Sequence, residues 1–159
     1  MGTKNSDLVT NFEAVPQVHN SAALLHGVVR VAQGTVALAA GDSDDNDIVM
    51  LAPIPSNAVV SQLFVGSDTF GGSCTFNVGI YTTAGVVKDE DVFASAVADA
   101  AAMADVRFEA ADINTAGQKM YELAGDSSDP GGMYYIAATM AAAGGTAGDM
   151  SFNIQYVVN

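Results

Sequence analysis

The chain has 159 residues, of which half are apolar, and its 5 Lys and Arg against 18 Asp and Glu give a formal net charge of −13. This length fits one domain with a hydrophobic core, and the apolar content excludes a wholly disordered chain. Because binding to phosphates needs clustered basic side chains, the charge excludes nucleic acids and anionic membrane surfaces as partners.

Residues 1–26 are predicted to be an extended N-terminal arm. The apolar residues of this arm are too sparse for a strand or an amphipathic helix, and Pro16 interrupts them. An arm without a core of its own becomes ordered by lying on a partner, and burial of apolar side chains there offsets part of the entropy cost. The expected contact residues are Leu8, Val9, Phe12, Val15 and Val18.

Residues 27–159 are predicted to form an all-β domain, an antiparallel β-sandwich or jelly roll. Alternation of apolar and polar residues begins at Val29 and Val31, and Gly34 suggests a bulge or a bend. A short strand at 48–51 is expected to end at Pro53 and Pro55, and a longer strand covers 59–66. Many short strands with turn signals between them favour this architecture.

The second half of this domain is predicted to contain one short inserted helix among further strands. Acidic residues at 89–91 precede apolar residues at helical spacing, so the helix is expected within 89–104. Short strands are expected at 106–109 and 119–123. Two clear strands, 134–140 and 150–158, follow turns that are rich in glycine.

The chain offers few groups for catalysis, and we predict that it is not an enzyme and has no cofactor. His19 and His26 lie in the arm, where no scaffold holds an imidazole rigidly. Cys74 alternates with Phe76 and Val78, which indicates a small core residue. A single cysteine also fits synthesis in a reducing cytoplasm.

One acidic segment is a weak candidate for a calcium site. Its spacing is not that of an EF-hand, because the sixth position is not glycine and the twelfth is Pro53. A solvated acidic turn between strands is the commoner interpretation, so no metal is predicted. The segment carries Asp42, Asp44, Asp45 and Asp47.

Several segments together resemble head decoration (cement) proteins of tailed bacteriophages. The resemblance is one of layout, covers about residues 27–159 and rests on no diagnostic motif. Its parts are the double proline in LAPIPSNAVV at 51–60, MYELAG at 120–125, the turn DPGG at 129–132, and the paired strands at 134–140 and 152–158.

The resemblance implies a structural role on the outer face of a virion capsid, after synthesis in the host cytoplasm. It implies clasping of neighbouring major capsid protein subunits and self-association, often as a homotrimer. It carries over no catalytic residues.

Two other functions stay open at this point. One is a virion appendage or head-fibre protein that binds host-surface carbohydrate. Sugar-binding platforms use exposed aromatic side chains. Tyr81 and Tyr135 alternate with the apolar residues of their strands, so their side chains are expected on the exposed face. The other is a small hydrolase, which would need carboxylates with perturbed pKa values in a cleft.

Overall fold

The structure is a computed structural model that describes residues 5–21, 25, 27–100, 102–110 and 113–158. These residues form two antiparallel four-stranded sheets that pack face to face. Sheet 1 has the order β1 (Val29–Leu38), β8 (Gly148–Val158), β3 (Ala58–Ser67) and β6 (Ala104–Asp105). Sheet 2 has the order β2 (Ile48–Pro55), β7 (Met133–Ala142), β4 (Thr75–Thr82) and β5 (Val87–Ala98).

Among the described residues, two short α-helices accompany the sheets. Helix α1 is Asp7–Glu13, before the first strand, and α2 is Met120–Leu123, between β6 and β7. Single 3-10 turns lie at Ala40–Asp42 and Ile113–Thr115. The predicted class, an antiparallel β-sandwich with one short helix inserted between strands, is confirmed.

The connections cross between the two sheets almost throughout. Among the described strands, only β4 and β5 are both consecutive in the chain and neighbours in one sheet. Connections that alternate between two sheets also occur in jelly rolls, which have eight strands in two sheets.

The core lies between the inward faces of the two sheets. The alternation that was predicted for the central strands is confirmed, because Cys74, Phe76, Val78 and Ile80 are all buried. Inward residues of β7 and β8 belong to the same buried cluster. Among them are Tyr134, Ile136, Ala138, Met140, Met150 and Ile154.

One cation, Arg107, is fully buried beside this core. Its Nε donates to the Val60 carbonyl at 3.0 Å, and a terminal nitrogen donates to the Thr115 carbonyl at 3.1 Å. The guanidinium also lies 4.4 Å from the ring centre of Phe108 and 5.1 Å from that of Phe93. Burial lowers the Arg107 pKa to about 10, so the side chain stays charged at neutral pH and ties its loop to β3.

The helix predicted within 89–104 is wrong, because most of this segment is strand β5. The pairing of β5 with β4 shifts register three times, and such bulges change the direction in which side chains point. Phe93 and Ala94 are therefore both buried although they are adjacent. The bulges of this edge strand therefore give its apolar residues a spacing that resembles the periodicity of a helix.

Other local predictions also need correction. The segment predicted as a strand at 119–123 contains α2, whose Met120 and Leu123 are buried one turn apart. The strand expected at 106–109 is shorter and earlier, at β6. The β2 strand runs through both prolines instead of ending before them, which an edge strand tolerates.

Gly34 is not at a bulge, because β1 pairs with β8 in unbroken register. The glycine instead makes room for an aromatic ring, since a Cβ there would lie 3.0 Å from the Phe152 side chain.

Candidate partner-binding surface

The N-terminal segment has a folded local structure instead of the extended one predicted. Helix α1 occupies Asp7–Glu13, and the chain then returns along it as far as Asn20. The Asn20 side chain donates to the Leu8 carbonyl at 3.1 Å and accepts from Asn11 Nδ2 at 2.8 Å. We refer to residues 7–20 as the N-terminal hook. The predicted arm also includes residues 1–4, 22–24 and 26, which lie outside the described residues.

The hook exposes most of the side chains that were predicted to bind a partner. Leu8 is half-buried, whereas the exposed fractions of the others are large. They are 41% for Val9, 67% for Phe12, 98% for Val15 and 50% for Val18. Val9 and Phe12 are three residues apart in α1 and so lie on the same side of the helix. The hook therefore presents apolar surface to the surrounding solvent.

In the part of the chain that the structure describes, the hydrogen bonds of the hook stay within the N-terminal segment. Among the described residues 5–20, the side chain of Asn5 donates to Glu13, and the Val18 amide donates to the Asn11 carbonyl at 3.1 Å. Together with the Asn11–Asn20 contacts, these bonds give the hook its own shape. Its apolar side chains are thus presented on a preformed unit.

The acidic segment considered for calcium uses its carboxylates to hold turns. An Asp42 carboxylate oxygen accepts from the Ala39 amide, an Asp47 oxygen from the Asp44 amide, and an Asp45 oxygen from the Asn46 side chain. Within the described part of the chain, which includes all four candidates, no three His, Cys, Asp or Glu residues are grouped so that they could hold a metal ion.

A polar cluster joins the loop between α2 and β7 to the turn between β2 and β3 and to strands β5 and β7, at one end of sheet 2. An Asp126 carboxylate oxygen accepts from Lys88 Nζ at 2.7 Å, and the other accepts from the Tyr134 hydroxyl. Asp129 Oδ1 accepts from Ser56 Oγ at 2.6 Å and from the Gly131 amide at 2.9 Å. The sequence pattern did not reveal Lys88 and Ser56 as partners, because they lie 38 and 73 residues away from Asp126 and Asp129.

The hydrogen bonds of this cluster shift the pKa values of its members. Donation from Lys88 and Tyr134 lowers the Asp126 pKa, and donation from Ser56 and Gly131 lowers that of Asp129. Burial, together with the bond to the carboxylate, raises the Tyr134 pKa to about 12. The carboxylates are thus held ionised and paired, which is a structural use of acidic groups rather than proton transfer near neutral pH.

The other groups considered for chemistry are poorly placed for it. Cys74 is 1% exposed, and burial raises the pKa of its thiol. His19 lies exposed on the hook, and His26 lies outside the described residues. Tyr81 is buried rather than exposed, and its hydroxyl lies 2.5 Å from Thr139 Oγ1. No helix in the described ranges combines the length and hydropathy needed to cross a bilayer.

Comparison with known proteins gives a likeness of fold. No protein-family model and no curated protein matches the chain. The structure is similar to a chain in the capsid asymmetric unit of cyanophage Pam1, with 15% sequence identity, a TM-score of 0.54 and 100% of both chains covered. At this identity the comparison shows a shared fold.

Two further solved structures are more distant. One is a chain in the capsid of Ralstonia phage GP4, with 20% identity, a TM-score of 0.49, and 84% of this chain and 86% of that chain covered. The other belongs to the acid-stable capsid of Helicobacter pylori bacteriophage KHP30, with 14% identity, a TM-score of 0.40, and 82% and 88% covered. We draw no conclusion from these two.

Proposed function

We propose that this chain is a structural protein of a bacteriophage virion. In this proposal it sits on the outer surface of the capsid and stabilises the shell by clasping neighbouring major capsid protein subunits. The N-terminal hook is the anchor, and the sandwich is the exposed head. The observation that carries the proposal is the hook, in which Phe12 and Val15 are 67% and 98% exposed on a unit with its own hydrogen bonds.

The energetics of the hook support an anchoring role. Burial of a large apolar side chain contributes about 1.5–3 kcal/mol, and ordering a flexible backbone costs about 1–2 kcal/mol per residue. Because α1 and the Asn11–Asn20 contacts already order the hook, docking it costs less than docking an extended arm. Burial of Val9, Phe12 and Val15 against a shell subunit then contributes directly to affinity.

The setting in a virion is supported by the fold that this chain shares, over its whole length, with a chain of a phage capsid asymmetric unit. A shell offers many equivalent sites, so an oligomer bound at several of them gains effective concentration from weak individual contacts. Synthesis in the host cytoplasm and a non-enzymatic role are part of the same proposal. The ionised, paired carboxylates of Asp126 and Asp129 support it, as does the buried thiol of Cys74.

The carbohydrate-binding alternative has less support in the structure than in the sequence. It relied on exposed tyrosines, and one of its two candidates, Tyr81, is buried at 2% exposure. The hydrolase alternative required carboxylates with perturbed pKa values in a cleft. The pKa values of Asp126 and Asp129 are lowered by partners that hold loops together, and the Asp89 pKa is raised by burial within strand β5.

The proposal is tested by cosedimentation with capsid shells that lack this chain. The full chain is expected to bind, and the chain without residues 1–20 is expected to keep its folded sandwich by circular dichroism but to lose binding. Within the full chain, Val15→Ser is expected to weaken binding about tenfold, since it removes about 1.5 kcal/mol of burial.

The matched control is Val86→Ser, which makes the same change at a 60% exposed valine between β4 and β5. It is expected to leave binding unchanged. Undiminished binding by the truncated chain, or equal effects of the two serine variants, would contradict the anchoring role of the hook.

A further inference from the structure

The two sheets of the sandwich have four edges, and edge strands carry unpaired backbone groups that can recruit another strand. Sheet 1 ends at β1 and β6, and sheet 2 ends at β2 and β5. Soluble proteins protect such edges by shortness, proline, bulges, charged side chains or covering loops. The four edges of this sandwich differ in how far they are protected in these ways.

Three of the edges are protected. Strand β6 has only two residues. Strand β2 contains Pro53 and Pro55, and its pairing with β7 is interrupted by a bulge. Strand β5 carries consecutive charged residues at 88–91 and irregular pairing. A loop also covers part of the β5 edge, where the Ser95 amide donates to Glu109 Oε2 at 2.8 Å.

Among the described residues, the β1 edge has only one of these devices, a single charged side chain. It has ten residues, contains no proline, and pairs with β8 in continuous register from Val29 to Leu38. Its only charged residue is Arg30. Within the described residues β1 pairs with β8 alone, so its other edge is open. Its outward face also exposes Val29 and Val31, each at 53%.

Charge indicates which partner fits this edge. A chain with a net charge of −13 repels its own copies over most of its surface. No Asp or Glu occurs between Glu13 and Asp42, so β1 and the segment before it are free of acidic residues, and the acidic turn begins only after β1 ends at Leu38. On the paired strand β8, the outward residues beside β1 are uncharged from Ser151 to Val157, and Asp149 lies only at the far end, opposite Ala37. Two copies therefore meet at β1 with less repulsion than at the β5 edge, which carries Asp89, Glu90 and Asp91.

We propose that two copies of this chain pair along β1, antiparallel and about a twofold axis, so that sheet 1 continues from one copy into the other. In such a pair, residues directly opposite each other lie on the same face of the sheet. The axis therefore passes through a residue that faces itself, and Gln33, near the midpoint of the ten-residue strand, takes this position. Val31 then lies opposite Thr35 of the second copy, and Val29 lies opposite Ala37.

This inference goes beyond the proposed virion role and does not depend on it, because the pairing belongs to the isolated chain. It gives a dimer, where the sequence resemblance implied a homotrimer. A contact of one strand with its own copy is isologous and closes as a dimer.

A charge-swap experiment tests the pairing by multi-angle light scattering at tens of micromolar chain. The wild type is expected to be a dimer. Val31→Lys/Thr35→Lys and Val31→Glu/Thr35→Glu each place like charges opposite each other, so each variant alone is expected to be a monomer. An equal mixture of the two is expected to form a heterodimer, because opposite charges then face each other.

Controls and a cross-link make the outcome decisive. Both positions are exposed, so each variant should keep the wild-type far-ultraviolet circular dichroism spectrum, and Val87→Glu on the protected β5 edge should remain a dimer. Gln33→Cys should form an interchain disulfide under mild oxidation, whereas Ser95→Cys should not. A monomeric or trimeric wild type, dimeric like-charge variants, or no heterodimer in the mixture would each overturn the proposal.

Discussion

Gly79 in β4 lies where the backbone of β5 comes closest. A Cβ at this position would be 2.1 Å from the Asp89 carbonyl oxygen and 2.3 Å from the Glu90 carbonyl carbon. Both neighbours are backbone atoms of a paired strand, so they cannot move aside as the end of a flexible side chain can. The missing side chain is therefore a requirement of the β4–β5 pairing.

We expect Gly79→Ala to lower the free energy of unfolding by about 3 kcal/mol, the upper part of the usual range for overpacking. Urea denaturation measures this change. The matched control is Gly41→Ala, because a Cβ there meets nothing within 4 Å, and its effect should stay within about 0.5 kcal/mol. Equal effects of the two substitutions would show that the close approach is not real.

The sequence could predict which face of β4 is buried, but not what covers its other face. The phase of β4 correctly placed Cys74, Phe76, Val78 and Ile80 in the core, since alternation fixes which residues share a face. It could not show that the opposite face is covered by the Asp89–Glu90 backbone, because that depends on where another strand bulges. For the same reason Tyr81 was expected to be exposed and is buried.

At the scale of elements, the loop between α2 and β7 is held by acidic residues. Asp126 contacts Lys88 near the start of β5 and Tyr134 in β7, while Asp129 contacts Ser56 at the turn between β2 and β3. The folded-state pKa values of both carboxyls lie below the ordinary value. The ionised carboxylates therefore stabilise the fold above the unfolded pKa, about 3.9, and this contribution is lost as pH falls through the lower folded values.

We expect the urea midpoint to fall between pH 5 and pH 2.5, with part of the fall arising from these two residues. The double variant Asp126→Asn/Asp129→Asn has side chains of similar shape that cannot ionise. Its urea midpoint should therefore change less over the same pH range. Parallel pH profiles for the wild type and the double variant would contradict the assignment of this acid sensitivity to the loop.

The elements also divide into those that sequence could and could not predict. Strands β3, β4, β7 and β8 were predicted because each contains an apolar run or an alternating stretch with a buried face. Strand β5 was predicted as a helix because its bulges destroy the alternation. Helix α1 was missed because seven residues around Leu8, Val9 and Phe12 give too short a pattern, and its contacts with Asn20 come from later in the chain.

At the scale of the whole molecule, two surfaces have different expected partners. The hook offers Phe12 and Val15 to a shell subunit, and the β1 edge offers Val29 and Val31 to a second copy. Composition and alternation were sufficient to predict the sandwich. They were not sufficient to predict which surfaces remain open, because that follows from how strands are ordered and how each edge is protected.

Electron cryo-microscopy of virions that contain this chain tests the central proposal most directly. It should show the sandwich outside the major capsid protein layer, with Phe12 and Val15 of the hook in contact with a capsid subunit. A hook that lies on its own sandwich, with no other chain in contact with those two side chains, would contradict the account.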